Sequence, residues 1–293
     1  MSEFVLREVE SKLSDTFHTN VKVLHSQTLG GGCINHASKL ETNVGDFFLK
    51  WNAHCAEDMF AREAEALTDL RTAAEGQMII PEVICYRDRD NLPGFIVLEF
   101  LEAGRSENED EKLGHGLAVI HQFKGEYFGY TSDNYCGDTP QKNTPSVDWQ
   151  AFFIDQRLGN ILKLIEKKRG LSTSEKIAYD QLVDRISRLI PANSKPVLIH
   201  GDLWSGNYLY TKQGPALIDP AAYYSDREME FAIITMFGGF SSRFFSAYNE
   251  TLPLSPDWKE RNALYQLYHI LNHYYLFGGS YGAQAIRVTR SYL

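Results

Sequence analysis

The sequence predicts an α+β fold in two lobes, a small sheet-containing lobe followed by a larger and mostly helical one. Two observations predict it: short apolar runs separated by turns fill the first third of the chain, and long amphipathic runs dominate the rest. The acidic stretch 104–111 separates the two patterns. We therefore predict a first lobe over residues 1–103 and a second over residues 104–293.

The first lobe is predicted to contain an antiparallel sheet and one main helix. Apolar residues recur at helical spacing between Phe4 and Phe17. Residues 56–75 are rich in Ala, Glu and Leu, which favours the main helix there. Glycines and polar turns separate the remaining apolar runs, which are short and therefore typical of strands. The predicted strands are 21–28, 35–41, 46–51, 81–86 and 95–101.

The second lobe is predicted to be largely helical. A long polar connection at 127–145 and a hairpin around the turn 212–215 interrupt the helical pattern. Connections as long as 127–145 are unusual without a function, and this one offers aromatic faces and amides to an acceptor. The predicted helices are 112–123, 148–168, 173–190, 228–237 and 257–277.

The composition excludes several classes of protein. A formal charge of −9 without basic blocks argues against a nucleic-acid partner or an anionic membrane surface. The N-terminus lacks an apolar signal core, and no run of about 18 apolar residues could span a bilayer. We therefore expect a cytoplasmic protein. The four cysteines fit neither a zinc-site pair nor a dense disulfide framework, so we expect reduced thiols.

The segment His-Gly-Asp-Leu-Trp-Ser-Gly-Asn at 200–207 is the most informative part of the chain. Asp202 and Asn207 are five positions apart, the spacing of the catalytic Asp and the metal-binding Asn in a kinase catalytic loop. The hairpin that follows would return Asp219 to a position beside Asn207. A carboxylate can take the proton of an acceptor hydroxyl, and oxygen ligands can hold Mg²⁺ on the phosphates of ATP. We therefore predict a protein-kinase-like fold with Asp202 as catalytic base and Asn207 and Asp219 as metal ligands.

A nucleotide-binding set precedes this loop. Lys50 ends a predicted strand and is followed by a helix that carries Glu63 and Glu65. In kinases a strand lysine reaches the α- and β-phosphates and is held by a helix glutamate. Glu63 is the preferred partner, and spacing leaves Glu65 open. Gly30, Gly31 and Gly32 form a predicted turn between two strands. Because glycine has no Cβ, the backbone of this turn can come close to phosphate oxygens.

Two further sequence features belong to the same predicted nucleotide site. Glu99, Phe100 and Leu101 lie between the lobes, where backbone groups of a hinge can hydrogen-bond adenine. Cys33 follows the glycines, where N–H groups and phosphates would meet. That environment would favour an exposed, redox-active thiol, although a small residue tolerated in a strand explains Cys33 equally well.

These motifs make the chain similar to the fructosamine kinases, or ketosamine-3-kinases, within the kinase-like superfamily of aminoglycoside and choline phosphotransferases. The resemblance runs over nearly the whole length. The loop at 200–207 with the Asp-Pro-Ala that follows is highly specific, whereas Gly-Gly-Gly-Cys alone is not. The segments that carry the resemblance are 30–34, 59–60, 149, 152–153, 200–207, 219–221, 227–228 and 237–240.

The resemblance implies that ATP phosphorylates the 3-hydroxyl of a sugar joined to an amine, after which the product breaks down and frees the amine. The acceptor would be a small ketosamine or a glycated lysine of a protein. Asp202 would accept the proton, Asn207 and Asp219 would hold Mg²⁺, and Lys50 with Glu63 would clamp the phosphates. Asp-Pro-Ala replaces the Asp-Phe-Gly of protein kinases, so no swinging Phe is expected.

Alternatives remain at this stage. A phosphotransferase for aminoglycosides, choline or homoserine fits the general pattern, and so does a pseudokinase that binds without turnover. Trp149 and Trp204 can each either pack in the core or stack on the sugar. His200 is expected to orient the loop rather than carry protons. His269 lies four residues before His273 on a helix, which without a third ligand does not make a metal site.

Overall fold

The structure, a computed structural model, describes residues 3–30 and 35–293. It confirms the α+β architecture, with an antiparallel sheet preceding a mainly helical region. Within these two ranges, no helix combines the length and the apolar character needed to cross a bilayer. The sheet has the order β1-β2-β3-β5-β4. Its strands are β1 Val23–Leu29, β2 His36–Thr42, β3 Gly45–Asn52, β4 Val83–Arg87 and β5 Gly94–Glu99.

Two helices, α1 (Glu3–Phe17) and α2 (Met59–Ala73), pack against this sheet. Successive side chains of a strand point to opposite faces. Leu49 of β3 therefore belongs to the cluster under α1, whereas Lys50 points to the other face, where α2 supplies its partner. The cluster under α1 contains Val5, Val9, Leu13, Val21, Leu40, Phe47, Leu49, Phe95 and Val97.

The helical region follows, with three small antiparallel strand pairs inside it. Its helices are α3 Glu109–Ile120, α4 Trp149–Phe152, α5 Asn160–Arg169, α6 Thr173–Val183, α7 Ile186–Leu189, α8 Glu228–Phe237, α9 Ser242–Thr251, α10 Trp258–Phe277 and α11 Tyr281–Ser291. Its strand pairs are β6 Asn134–Cys136 with β7 Thr139–Gln141, β8 Val197–Ile199 with β11 Tyr223–Ser225, and β9 Tyr208–Tyr210 with β10 Pro215–Leu217.

Several boundaries differ from the sequence prediction. The acidic stretch 104–111 is not all loop, because α3 begins at Glu109 and carries acidic residues in its first turn, where the helix dipole favours negative charge. The predicted helix 148–168 contains a π-helical segment, Phe153–Gly159, and 173–190 divides into two helices. Strands β6, β7, β8 and β11 and helices α9 and α11 were not predicted. Strands of three residues are too short to show a period.

The sheet and the helices share one continuous core. A single buried cluster includes Phe60 of α2, Ile96 of β5, Leu117 of α3, Phe231 of α8 and Leu267 of α10. Protein interiors are close-packed, so elements that share a core keep fixed distances from one another. Side chains from β3, α2 and the loops after β8 and β10 therefore meet in a defined geometry.

Candidate active site

The loop between β8 and β9 places the two polar residues that the sequence singled out. The side-chain amide of Asn207 donates to the backbone oxygen of Asp202 at 2.8 Å and to its carboxylate Oδ2 at 3.1 Å. The same Nδ2 lies 3.4 Å from the backbone oxygen of Asp219. These contacts fix the Asn207 amide and leave its Oδ1 available as a ligand.

The predicted hairpin that returns the chain to Asn207 is confirmed. Tyr208 pairs with Leu217, and the N–H of Ile218 donates to the carbonyl of Asn207 at 3.0 Å. Asp219 comes next and has a left-handed backbone, with φ of 56°. Few residues other than glycine adopt that conformation, although Asp and Asn do so more readily than most, and such residues are frequent at functional sites. Its carboxylate consequently reaches back across the loop to Lys50.

Lys50 lies at the centre of a buried ion cluster. Its Nζ donates to both oxygens of Glu63, at 3.0 and 2.9 Å, and to Oδ1 of Asp219 at 2.9 Å. Burial alone would lower the pKa of Lys50, but the carboxylates of Asp219 and Glu63 outweigh it, and the pKa is raised. Glu65 has different partners, Arg62 and Thr131. Glu63 is therefore the glutamate that contacts Lys50.

The environment of Asp202 differs, because no cation contacts its carboxylate directly in the described chain. Burial and then the nearby charge of Asp219 raise the pKa of Asp202 to about 8, and the hydrogen bond from Asn207 only partly opposes them. A carboxylate with a pKa near the working pH can both accept and release a proton, which is the property of a general base.

Glu230 of α8 anchors the start of the loop between β8 and β9 through hydrogen bonds to its backbone. Its carboxylate accepts the backbone N–H of His200 at 2.5 Å and that of Gly201 at 3.1 Å, and its side chain is fully buried. His200 binds backbone on both sides: Nε2 lies 2.9 Å from the carbonyl of Ile218 and Nδ1 accepts the N–H of Asp202 at 3.3 Å. The interpretation of His200 as an orienting residue agrees with these contacts. Its imidazole is neutral, since burial lowers its pKa.

Gly201 permits the close approach of the loop to the segment after Asp219. Its φ is 83°, and a Cβ there would lie 2.2 Å from the carbonyl oxygen of Ala221. The N–H of Ala221 also donates to the carbonyl of His200 at 2.9 Å. A side chain at position 201 would separate the two segments, so the glycine has a structural reason.

The long connection 127–145 covers the far side of the site. Within it, Asn134 donates to the carbonyl of Ala222 at 2.8 Å and Gln141 to that of Ala221 at 3.2 Å. Tyr268 of α10 donates to Gln141 Oε1 at 2.8 Å. The β6–β7 hairpin is thereby fixed between the segment after Asp219 and α10, beside the catalytic loop.

The two tryptophans that the sequence left undecided have different environments. Trp149 is completely buried, and its Nε1 donates to the hydroxyl of Tyr265 at 2.9 Å. A sugar-stacking role for Trp149 is therefore wrong, because neither face of its indole is accessible. Trp204 is 37% exposed and contacts Phe237 edge-on, with 6.1 Å between ring centroids. Its indole can meet a ligand.

The predicted hinge residues lie at and just after the end of β5, and Gly30 follows the end of β1. Glu99 is held to Glu82 through both backbone and side chain, and a cavity of about 580 Å³ borders residues 99–102. Among the described residues, no group accepts the backbone N–H of Leu101. Gly30 has open space where a Cβ would lie. Gly31, Gly32 and Cys33 lie outside the described residues.

Sequence reasoning missed three residues of this region. Glu230 had a usable signal, because it is an acidic residue between Met229 and the largely apolar run 231–237. Cys136 had no local signal, and the sequence offered His269 only His273 as a neighbouring ligand. The fold alone brings Cys136 and His269 to Asp202, with ligand atoms of the three residues within 4.8 Å of one another.

Comparisons with known proteins agree with this geometry. The fructosamine kinase family model matches residues 5–293. A probable ketoamine kinase of Synechocystis is 35% identical over 288 residues, which cover 97% of this chain and 96% of that protein. A chloroplastic protein-ribulosamine 3-kinase of Oryza sativa subsp. indica is 37% identical over 282 residues, covering 93% and 80%.

A solved structure shows the same likeness in three dimensions. A candidate fructosamine-3-kinase from Thermobifida fusca superimposes with a TM-score of 0.85 at 29% identity, covering 97% of this chain and 98% of that one. The chain therefore belongs to the fructosamine kinase family, has a protein-kinase-like fold and is an ATP-dependent phosphotransferase that acts on a hydroxyl group.

Proposed function

We propose that this enzyme transfers the γ-phosphoryl group of ATP to the 3-hydroxyl of a ketosamine, either fructosamine or ribulosamine. The acceptor is free or attached to a lysine of a glycated protein, and breakdown of the phosphorylated product frees the amine. The family match and the ketoamine and ribulosamine kinases among the relatives support this acceptor. The observation that carries the chemistry is the convergence of Lys50, Asp202, Asn207 and Asp219 on one site.

Asp202 acts as the general base in this proposal. The Asn207 amide orients its carboxylate, and the pKa raised to about 8 makes the ionised carboxylate a stronger base for the proton of the attacking hydroxyl. His200 cannot compete for that role, because its two ring nitrogens already face backbone groups. Its function is to hold the loop at Asp202 and Ile218.

Lys50 and Glu63 clamp the phosphates. The two contacts from Glu63 fix the ammonium group, and its third contact, to Asp219, lies on the side of the catalytic loop. In the proposed complex, a phosphate oxygen takes the place of that third contact. In kinases a glycine-rich loop covers the phosphates, and by the order of parts in the sequence Gly30, Gly31 and Gly32 are the glycines proposed for that role.

Asn207 and Asp219 are suited to hold Mg²⁺. Asn207 has a free Oδ1, and Asp219 is 42% exposed at its side chain with only Oδ1 engaged. Hard oxygen donors of this kind match the preference of Mg²⁺. When bound, the ion would neutralise charge on the transferred phosphoryl group. The chain itself fixes both ligands: Asp202 accepts hydrogen bonds from the Asn207 amide, and Lys50 binds the Asp219 carboxylate.

The hinge at Glu99, Phe100 and Leu101 takes the adenine. The unpartnered N–H of Leu101 is available to a purine nitrogen, whereas Glu99 is tied to the sheet. Under this proposal residues 1–103 provide the nucleotide clamp, and residues 104–293 provide the base, the metal ligands and the acceptor site.

Trp204 and the β6–β7 hairpin border the acceptor. The exposed indole of Trp204, two residues after Asp202, offers an apolar face, and an aromatic face packs well against the carbon-bound hydrogens of a sugar. Kinases of aminoglycosides, choline or homoserine are the alternative, and the family match does not favour them.

The test compares acceptors in one ATP-consumption assay. Fructosyl-lysine and ribulosyl-lysine, free and in a short glycated peptide, are compared with the unglycated amine and with kanamycin, choline and homoserine. We expect turnover only with the ketosamines, and NMR of the product should place phosphate on the sugar 3-hydroxyl. Faster turnover of kanamycin, choline or homoserine would reject the ketosamine assignment.

A further inference from the structure

Three side chains from distant parts of the sequence converge at the acceptor side of Asp202. Cys136 ends β6, Asp202 lies in the catalytic loop, and His269 belongs to α10, and their ligand atoms all lie within 4.8 Å of one another. The sequence contains no motif that links them, because the nearest two in the chain are separated by more than sixty positions. The group is a product of the fold.

Each member has a donor atom to offer. His269 is 2% exposed, and its Nδ1 is buried without a hydrogen-bond partner among the described residues. Buried polar atoms without partners are rare, and each calls for an explanation such as an absent ion or ligand. The imidazole is neutral, since burial, with help from His273 and Arg157, lowers its pKa to about 3. A neutral imidazole is the form that binds metals.

Cys136 and Asp202 complete the set. Cys136 is 2% exposed, and its Sγ meets the amide of Asn272 at 3.3 Å. The Asn207 amide donates only to Oδ2 of the Asp202 carboxylate. Oδ1 of Asp202 therefore has no hydrogen bond within the described chain. Sulfur, nitrogen and oxygen are thus presented together by three rigid elements.

This donor set selects a particular kind of cation. Zn²⁺ binds Cys, His and Asp together in tetrahedral sites, often with three protein ligands and one open position. Ligand atoms around tetrahedral Zn²⁺ lie roughly 3.4–3.7 Å apart, given its usual bond lengths, so these side chains need to close by about 1 Å. Mg²⁺ prefers six oxygens and would not use the thiol or the imidazole.

We propose that Cys136, Asp202 and His269 form a binding site for Zn²⁺, distinct from the Mg²⁺ ligands Asn207 and Asp219, and that the bound ion inhibits the enzyme. Coordination replaces the thiol proton, which passes to the buffer, and places the ion on the Asp202 carboxylate. That carboxylate can then no longer accept the hydroxyl proton. The inhibitory consequence rests on the role proposed above for Asp202, whereas binding does not.

Cobalt(II) provides a direct readout of binding. Chelator-treated protein is titrated with Co²⁺, which takes zinc sites and shows a near-ultraviolet thiolate-to-metal band and visible tetrahedral bands. We expect both in the wild type, with bleaching on addition of Zn²⁺. Cys136→Ser should abolish the thiolate band, and His269→Asn should weaken binding by about 100-fold, because loss of even an outer partner typically costs 10–100-fold.

Matched controls lie close by. His273 lies one turn after His269 on the same helix, and its Nδ1 already contacts the carbonyl of His269. The substitution His273→Asn should therefore leave the cobalt spectrum unchanged. Cys85→Ser tests a thiol on β4, away from the catalytic loop, with the same expectation. A thiolate band that persists in Cys136→Ser, or its absence from the wild type, would overturn the site.

Inhibition is measured separately. Because Zn²⁺ on Asp202 removes the base, it should lower the kcat of the wild type, EDTA should restore it, and Cys136→Ser should be at least tenfold less sensitive, in line with loss of a ligand. Competition with Mg²⁺·ATP at equal potency in both proteins would place Zn²⁺ at Asn207 and Asp219 and reject the inhibitory claim. If the cobalt band depends on Cys136 but Zn²⁺ does not inhibit the enzyme, the metal site stands and Asp202 is not the base.

Discussion

The two ends of the active site differ in how their buried charges are compensated. At the nucleotide end, the Lys50 ammonium donates to three carboxylate oxygens, two from Glu63 and one from Asp219. At the acceptor end, the Asp202 carboxylate receives a hydrogen bond from the Asn207 amide and, among residues 3–30 and 35–293, has no cation in direct contact, and its pKa is raised to about 8. The ammonium at the nucleotide end therefore has carboxylate partners, whereas the Asp202 carboxyl is held by an amide.

The difference indicates which end is complete before substrates bind. A buried ion pair with good geometry fixes its members, whereas a carboxylate without a cation is held at an energetic cost. The clamp is therefore preformed. The acceptor end depends on the chain's amide and backbone contacts to keep Asp202 in place, and under the proposed function the raised pKa of Asp202 serves proton transfer. Substitutions at the two ends should consequently fail in different ways.

The largest expected effect comes from Asp202→Asn. The change preserves shape and removes the base, so we expect kcat to fall by roughly 10²–10⁴-fold with little change in ATP affinity. Steady-state kinetics with a ketosamine and a separate nucleotide-binding titration measure the two quantities. Near-normal turnover would exclude Asp202 as the base.

Lys50→Met should affect stability as well as activity. It leaves Glu63 buried without its cation, and removal of one partner of a buried pair typically costs about 3–5 kcal/mol. Burial, with the charge of Asp219, keeps the pKa of Glu63 raised, so protonation of Glu63 should reduce the loss in acid. Urea midpoints at two pH values test this. Lys22→Met, an exposed lysine paired with Glu10, is the control and should unfold like the wild type.

A pH series separates the charge of Asp202 from its catalytic role. The unfolded carboxyl titrates near 3.8 and the folded one near 8, so the folded chain holds an extra proton between these values. Raising the pH through that interval therefore destabilises the wild type. Asp202→Asn cannot ionise, and its urea midpoint should exceed that of the wild type by a margin that grows from pH 4 to pH 8. A constant margin would contradict the raised pKa.

The nucleotide end was largely predictable because it consists of two pairs that are each local in sequence. One strand and the following helix separate Lys50 from Glu63, and one hairpin separates Asn207 from Asp219, whereas the contact of Lys50 with Asp219 joins residues 169 positions apart. The alternation along β3 decides that Lys50 faces α2, and a hairpin decides that Asp219 returns to Asn207. The choice of Glu63 over Glu65 needed the structure, since residues two apart on a helix point in different directions.

Apart from Asp202, which the spacing of the loop at 200–207 predicts, the acceptor end was not predictable, because its other residues meet only through long-range packing. Trp149 and Trp204 both looked like candidates, and only burial separates them. Cys136 and His269 reach Asp202 through the β6–β7 hairpin and α10, and pairing of three-residue strands leaves no readable period. The topology of the fold brings these residues together, and no rule of sequence spacing predicts that they meet.

Glu230→Gln tests whether the acceptor end is held by backbone contacts. The amide keeps one acceptor but loses the charge that binds the N–H groups of His200 and Gly201, worth about 1.5–3 kcal/mol. We expect kcat to fall by roughly 10–100-fold with an unchanged KM for ATP. Glu228→Gln, two residues away and paired with Arg261, should reduce stability while retaining kcat. Equal effects of both variants on kcat would argue against a positioning role.

The smallest effect should separate the two tryptophans. Trp204→Ala removes an exposed aromatic face two residues after Asp202, so the KM for a ketosamine should rise by roughly 2–10-fold, the equivalent of one aromatic contact, with the KM for ATP unchanged. Trp149→Phe instead removes the hydrogen bond to Tyr265 and should lower the unfolding free energy by about 1 kcal/mol without changing either KM. Both variants retain the Asp202–Asn207 contact, so kcat serves as the internal reference. A ketosamine KM that changes in Trp149→Phe but not in Trp204→Ala would reverse the assignment and place the acceptor away from the exposed indole.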